Sequence, residues 1–425
     1  MTRKLKLVTT GIVFYCFFTF GVTITIPGPA MLDIAQLVNS TFADISNGIA
    51  LRSAGYAGGS LSFGYLYHRT DRQVGFIICL IMSGLATISI PLSSTLIYYY
   101  AAQGTYGFFS AGTDVAANAW IMELWGSESN PLLQGMYFCY AVGAAVAPML
   151  ATRFLSTIDD SGDGVVIIPS NIIVPFSIAA GFSFVGAIMV TFLRTQKVAV
   201  SGTTPTSIDT VEVPTGKGTT ESVPVTGNLS YRRTIIIVAC LLIFAYPGSE
   251  FNAFTFMSQF FQYSEMHASN SEGANMQSIM STSFAIARGL CILIATRVSP
   301  KHMIYASMAC LVTAYMILHD CNTAYMMHDY AALIIAGIGF APMTPGIYSF
   351  LRQRMEVTDN LCGLFMFCKS LAQITVSILM GYCIQSNHTI FLYWNVASLL
   401  ITAVAVAALI ANDSAHASNR YQMFG

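Results

Sequence analysis

Ser110-Ala111-Gly112-Thr113-Asp114-Val115-Ala116-Ala117-Asn118-Ala119-Trp120 is the stretch on which the reading of this chain turns. It falls inside a long apolar segment, the fourth of twelve. A carboxylate at the centre of a membrane helix costs about 2.5–3.5 kcal/mol on insertion scales, so Asp114 needs a compensating environment. Asn118 follows by one i,i+4 step and shares its helical face. Lipid satisfies neither group, so that face must look at a water-lined passage or a partner charge. Two readings are open. One is a structural pair between helices; the other is part of a path for a solute or a coupling ion.

The composition around this stretch fits a membrane chain. Of 425 residues, 55% are hydrophobic and only 9% charged, against about 25% charged in soluble domains. A net charge of −1 gives no long-range attraction for nucleic acid. The ten cysteines show no CxxC spacing and read as small packing residues, not a zinc or disulfide framework. Met1-Thr2-Arg3-Lys4-Leu5-Lys6 precedes an apolar run too long for a signal peptide, so a retained first span is expected.

Apolar runs of about 20 residues suit helices crossing a roughly 30 Å hydrocarbon core. They fall near 6–28, 43–66, 74–93, 96–124, 132–156 and 171–193, then 234–262, 274–296, 303–321, 329–351, 360–384 and 389–411. The ten-residue alternation of an outer-membrane barrel is absent. With the N-terminus inside, Arg3, Lys4, Lys6, Arg69, Arg72, Arg232, Arg233, Arg297, Lys301, Arg352 and Arg354 all fall on cytoplasmic segments. The outer loops hold acids instead, Asp33, Asp44, Glu265, Glu272 and Asp329 among them. Both termini are therefore expected inside. Sequons at Asn39 and Asn387 then lie outside, where glycosylation is possible.

Residues 194–233 are rich in Thr, Ser, Gly, Pro and Val and read as a flexible cytoplasmic linker. They divide a six-helix bundle, 1–193, from a second bundle with a short tail, 234–425. The halves look like a repeat offset by about 228 residues: Leu133-Gln134-Gly135-Met136-Tyr137 matches Leu361-Cys362-Gly363-Leu364-Phe365, and Arg69 matches Arg297. Repeated halves around a mid-membrane site are an alternating-access architecture. Pro342 and Pro345 predict a kink in the tenth span.

Within the spans the charges are few: Arg52, Arg153, Arg288, Lys369, Asp114 and Glu250, with Glu123 near the inner edge. Arg153 is close enough to the outer surface to snorkel. Asp114 and Lys369 come out at similar depth in the inner half. Either they pair across the halves when the inside closes, or each pairs within its own half. Glu250 follows Tyr246-Pro247-Gly248, where an interrupted seventh span would aim side chains inward. Glu250, Asn252, Gln259 and Gln262 make a polar wall, and Arg288 is a plausible counter-charge for Glu250. Tyr140, Gln373, Gln103 and Gln134 either line the cavity or bond helix to helix. Gly55, Gly59, Ser60 and Gly64 read as close helix packing. His267, His319, His328 and His388 lie in different outer loops, as solvated residues or as a metal or pH site. No HExxH, P-loop or strand-associated GxGxxG motif is present, and no soluble segment suits a catalytic domain. An enzyme is not expected, nor any cofactor beyond a coupling Na⁺ or H⁺.

Gly64-Tyr65-Leu66-Tyr67-His68-Arg69-Thr70-Asp71-Arg72 resembles the major facilitator signature Gly-x-Leu-x-Asp-Arg-x-Gly-Arg, with His68 and Asp71 as departures. Further stretches resemble the sodium-dependent glucose transporter-like branch of that superfamily. They are Gly28-Pro29-Ala30-Met31-Leu32-Asp33, Arg52-Ser53-Ala54-Gly55-Tyr56, Asp114 with Asn118, Tyr246-Pro247-Gly248-Ser249-Glu250, Ser283-Phe284-Ala285-Ile286-Ala287-Arg288 and Arg297-Val298-Ser299-Pro300-Lys301. The resemblance implies the major facilitator fold, all-α with twelve transmembrane helices in two pseudo-repeated bundles. It implies gating by Arg69 and Arg72, and a sugar or similar small polar solute moved with a coupling ion.

The expected protein is thus a secondary active transporter, monomeric and in the plasma membrane. Asp114 or Glu250 would bind the ion. Asn118, Tyr140, Glu250, Asn252, Gln259 and Gln373 would meet the solute. Glu123, Arg288, Arg297 and Lys369 would join Arg69 and Arg72 in gating. The competing readings are a facilitator for a nucleoside, organic anion or peptide, and a transporter-like sensor or scaffold that no longer cycles.

Overall fold

Hydrocarbon offers a free backbone N–H or C=O no partner, so each apolar run closes its own hydrogen bonds as a helix. The computed structural model describes residues 3–67, 69–125, 129–159, 166–168, 170–193, 229–294, 297–319, 326–352, 354 and 359–423. In chain order the first half holds α1 (Arg3–Thr25), a short α2 (Met31–Val38), α3 (Phe42–Leu66), α4 (Arg72–Ser89), α5 (Leu96–Trp125), α6 (Ser129–Thr152) and α7 (Ile173–Thr191). The second half holds α8 (Leu229–Tyr263), α9 (Asn270–Ile294), α10 (Pro300–His319), α11 (Met326–Phe340), α12 (Met343–Arg352), α13 (Asp359–Cys383) and α14 (Ile390–Met423).

With α2 set aside and α11 and α12 counted together, these are the twelve expected spans. Ten are long and apolar enough by composition to cross a membrane. The other two, α3 and α5, are long enough at 25 and 30 residues. Their glycines, serines and buried charges hold their hydropathy down. The outer loop between α6 and α7 adds a small antiparallel hairpin, β1 (Thr157–Asp159) on β2 (Val166–Ile168), that the all-helical reading did not include. Residues 194–228 of the expected linker lie outside the described residues; α8 begins at Leu229, inside its expected end.

Local signals place the ends. Thr41 and Asp44 form a capping box at the start of α3. Asp71, a departure from the signature, caps α4 by accepting from the Gln73 N–H at 2.9 Å. The tenth span breaks where its prolines predict, between Phe340 and Met343. The seventh does not: α8 runs unbroken through Pro247. The ring removes one backbone donor, but neighbouring helices tolerate that loss inside a bundle. Gly248 instead seats α8 against Ala372 and Trp394. The interruption expected to aim Glu250 inward is therefore absent, and Glu250 reaches inward from a continuous helix.

Within the first bundle α3 packs on α5, α1 on α6, and α4 on both α5 and α7; in the second, α8 packs on α13 and α14, and α11 on α9 and α10. The bundles meet through α3 on α13 and α6 on α9. Gly55 and Gly59 lie on the α3–α5 contact, as expected: a Cβ there would stand 2.4 Å from the Gly104 carbonyl oxygen or 2.2 Å from that of Phe108. The α1–α6 contact is reciprocal. A Cβ on Gly21 would meet the Tyr140 carbonyl oxygen at 2.1 Å, and one on Gly143 that of Phe18 at 2.1 Å. Backbone cannot yield as a side chain does, and overpacking costs about 1–3 kcal/mol or more. Gly143→Val should therefore lower the thermal midpoint and monodisperse yield in detergent; a variant as stable as the parent would refute this packing.

Candidate functional site

The two ends of the molecule differ. At the outer end the halves are tied by hydrogen bonds: Gln259 Nε2 donates to the Gly28 carbonyl at 2.7 Å and Asn47 Nδ2 to Tyr382 OH at 3.3 Å. Asn270 Nδ2 donates to Asp33 Oδ1 at 3.2 Å and to Ser156 Oγ at 2.6 Å, while Ser156 Oγ donates to Asp33 Oδ1 at 2.5 Å. Asp33, Gln259 and Gln277 are buried here. Towards the inner end Tyr56, Asp114, Asn118, Tyr137, Tyr140, Glu250, Thr344, Lys369 and Gln373 are only half-buried. The tied end is the one opposite the N-terminus, and these half-buried polar groups lie toward the other end.

Burial raises the Asp33 carboxyl above the usual carboxylate range, although the Ser156 and Asn270 hydrogen bonds favour its anion. The proton thus binds the sealed end more tightly than an open, solvated one. Sealing is favoured at low pH and weakened as pH rises through the raised value. A Ser271→Cys reporter should be alkylated from outside faster as pH rises. Asp33→Asn should leave only the rise that the thiol's own ionisation gives; an unchanged pH profile in the Asn variant would contradict it.

Asp114 is the hub of the first half. At about 1.5 Å per residue it lies roughly 16 Å from the inner end of α5. Tyr56 on α3 donates to its Oδ2. Asn118 Nδ2 donates to Oδ1 at 2.7 Å, and Tyr137 OH on α6 donates to Asn118 Oδ1 at 3.1 Å. Three helices therefore converge on one carboxylate. Lys369, on α13 of the other half, acts on Asp114 electrostatically but stands outside ion-pair distance. The expected cross-half ion pair is thus not formed in this structure.

Glu250 occupies the second half. Thr344 Oγ1, just past the break between α11 and α12, donates to Glu250 Oε2 at 2.7 Å. Tyr140, from the first half, lies within electrostatic range of both Glu250 and Arg52. The Glu250–Arg288 pair is not formed. Arg288 instead crosses to the other half and lies over the Tyr137 ring, 5.9 Å from its centroid, and over Phe284 at 5.3 Å. The reach of the guanidinium to two aromatic faces explains this placement.

The remaining expected residues scatter. Asn252 is buried and donates to the Phe391 carbonyl at 3.3 Å, so it faces α14 and not the passage; its i+2 offset turns it away from Glu250. Gln259 belongs to the outer seal and Gln262 bonds to Ser258 within α8. Gln373 lies one turn outward of Lys369 on the same face of α13. Arg72 and Glu123 pair at 2.5 Å at the inner rim. Arg69 stacks over Tyr65 at 4.4 Å, and Arg297 is exposed. His68 lies outside the described residues. Asn39 and Asn387 are exposed at the outer end, and Asn387 Oδ1 accepts from the Thr389 N–H at 3.1 Å. Among the described residues no three His, Cys, Asp or Glu gather to hold a metal.

Tyr56 and Thr344 were not expected as partners of the carboxylates, nor Tyr137 as the partner of Asn118. Tyr56 sits within a quoted motif and Thr344 beside Pro342, but their neighbours across helices are set only by packing.

The Major Facilitator Superfamily model matches residues 13–377. The chain is 23% identical to the mouse (Mus musculus) sodium-dependent glucose transporter 1A over 91% of its length and 93% of that protein. It is 24% identical to the Xenopus laevis sodium-dependent glucose transporter 1 over 90% of its length and 77% of that protein. The fold is similar to that of the nucleoside transporter NupG, with a TM-score of 0.67 at 14% identity, covering 96% of this chain and 99% of that one.

Proposed function

The chain belongs to the Major Facilitator Superfamily, and on that premise we propose that it accumulates a sugar-like solute by coupling its movement to Na⁺ or H⁺. The observation that carries this reading is Asp114, a carboxylate in the middle of α5 held by Tyr56 and Asn118. A carboxylate in that position takes a proton when desolvated, or supplies anionic oxygen to Na⁺ with Asn118 beside it. Rocking of the two bundles about α3–α13 and α6–α9 would unseal the outer end and close the inner one. Glu250, Tyr140 and Gln373 would meet the solute, and Lys369, Arg288 and the Arg72–Glu123 pair would move with the gate. The names of the relatives support the sugar.

Purified protein in vesicles, offered labelled hexoses under an imposed Na⁺ or pH gradient, tests it. Accumulation above the outside concentration under one gradient is the expected result. Gradient-independent equilibration would remove the coupling, and failure to exchange any solute would favour a non-cycling sensor. The distribution of Lys and Arg supports cytoplasmic termini; a plasma-membrane location and a monomer complete the proposal. Glycans at Asn39 and Asn387 follow from that orientation. Asn39→Gln and Asn387→Gln should each remove one glycan step on a gel; unchanged mobility of both would argue against it.

A further inference from the structure

Arg52 is the charge that the transport reading leaves unused. It lies on α3, about 15 Å below the outer end at 1.5 Å per residue, beneath the seal. It is only 5% exposed. One guanidinium nitrogen donates to the Ile24 carbonyl at 3.0 Å. Its other neighbours are the phenols of Tyr99, Tyr106 and Tyr140. Among the described residues no carboxylate pairs with it. A buried charge without a counter-charge is expensive, and a bundle keeps one when something else supplies the counter-charge.

Tyr140 shows where that something would come from. It is half-buried and within electrostatic range of both Arg52 and Glu250, so Arg52 lies beside the space between the polar groups of the two halves. Around that space three cations, Arg52, Arg288 and Lys369, face two carboxylates, Asp114 and Glu250, with no ion pair among them. The geometry points to an anionic cargo. We propose that the solute is a polyhydroxy carboxylate, a sugar acid, whose carboxylate is taken by Arg52 while Tyr140, Glu250 and Thr344 meet its hydroxyls. The planar fork of Arg suits a carboxylate in two-point contact, whereas a neutral hexose leaves the charge unanswered.

This assignment rests on the transport reading above and narrows its substrate. The test uses full-length protein in vesicles and in detergent, with glucuronate and glucose as probes at equal concentration. Glucuronate should be taken up in preference to glucose and should raise the thermal midpoint more. Arg52→Gln should lose about tenfold or more in glucuronate affinity beyond any loss for glucose, with Arg52→Lys in between. If glucose is accumulated and glucuronate neither competes nor stabilises, the sugar-acid assignment falls and the transport reading stands. If neither sugar binds or moves, both fall. Should Arg52→Gln fail to fold, the preference of the unmodified protein decides the question alone.

Discussion

Asp114→Asn abolishes gradient-driven accumulation while leaving the protein folded in the membrane. The side chains are nearly isosteric, and an Asn oxygen still accepts from either Tyr56 or Asn118, so the convergence of α3, α5 and α6 survives. What disappears is the ionisable oxygen pair. Without it a proton has no site, and Na⁺ loses its anionic ligand. Imposed gradients should then drive no accumulation, while counterflow exchange of solute continues. The measurement is concentrative uptake in vesicles at matched protein density; full accumulation by the Asn variant would remove Asp114 from the coupling.

The second large effect concerns Lys369. With the inner side accessible, Asp114 is served by Tyr56 and Asn118 and Lys369 is set apart. On the proposed cycle, closing the inner side would carry Lys369 on α13 towards Asp114, and the two would form a buried pair. Removing one partner of such a pair costs about 3–5 kcal/mol, because the other charge is left buried and alone. That penalty falls on the inner-closed state only, so Lys369→Gln should depopulate the outward-open conformation by roughly 10²–10⁴-fold. External alkylation of a Ser271→Cys reporter should slow accordingly, and transport should stop. Exchanging the charges, Asp114→Lys with Lys369→Asp, should recover part of the labelling, limited by the donors that Tyr56 and Asn118 would present to an ammonium. Labelling of Lys369→Gln at the parental rate would show that the pair does not form.

Much of the fold was legible because hydrocarbon imposes a one-dimensional rule: a span needs enough consecutive apolar residues, and cations stay inside. The twelve spans, the two bundles and the break at Pro342 follow from runs and prolines alone. Pro247 marks the limit of that rule. At Pro342 the chain breaks; at Pro247 α8 continues, since Ala372 and Trp394 brace Gly248. A proline states that a donor is missing and leaves open whether the surroundings absorb the loss.

The site divides in the same way. Asp114, Glu250 and Lys369 stand out in sequence, because an ionised group among apolar residues carries its own cost wherever the helix goes. Asp114 and Asn118 could be paired in advance because i and i+4 share a face on any helix. Which other groups meet them could not. Tyr56 lies 58 positions from Asp114, Thr344 lies 94 from Glu250, and Arg288 turns to Tyr137 and not to Glu250. These contacts are fixed by how α3, α6, α9 and α12 rotate and cross as close-packed cylinders, a cooperative outcome of many small contacts. The chain by itself determined that charges would be buried and at what depth; the packed bundles decided their partners and, among the described residues, left Arg52 with a carbonyl and no counter-charge.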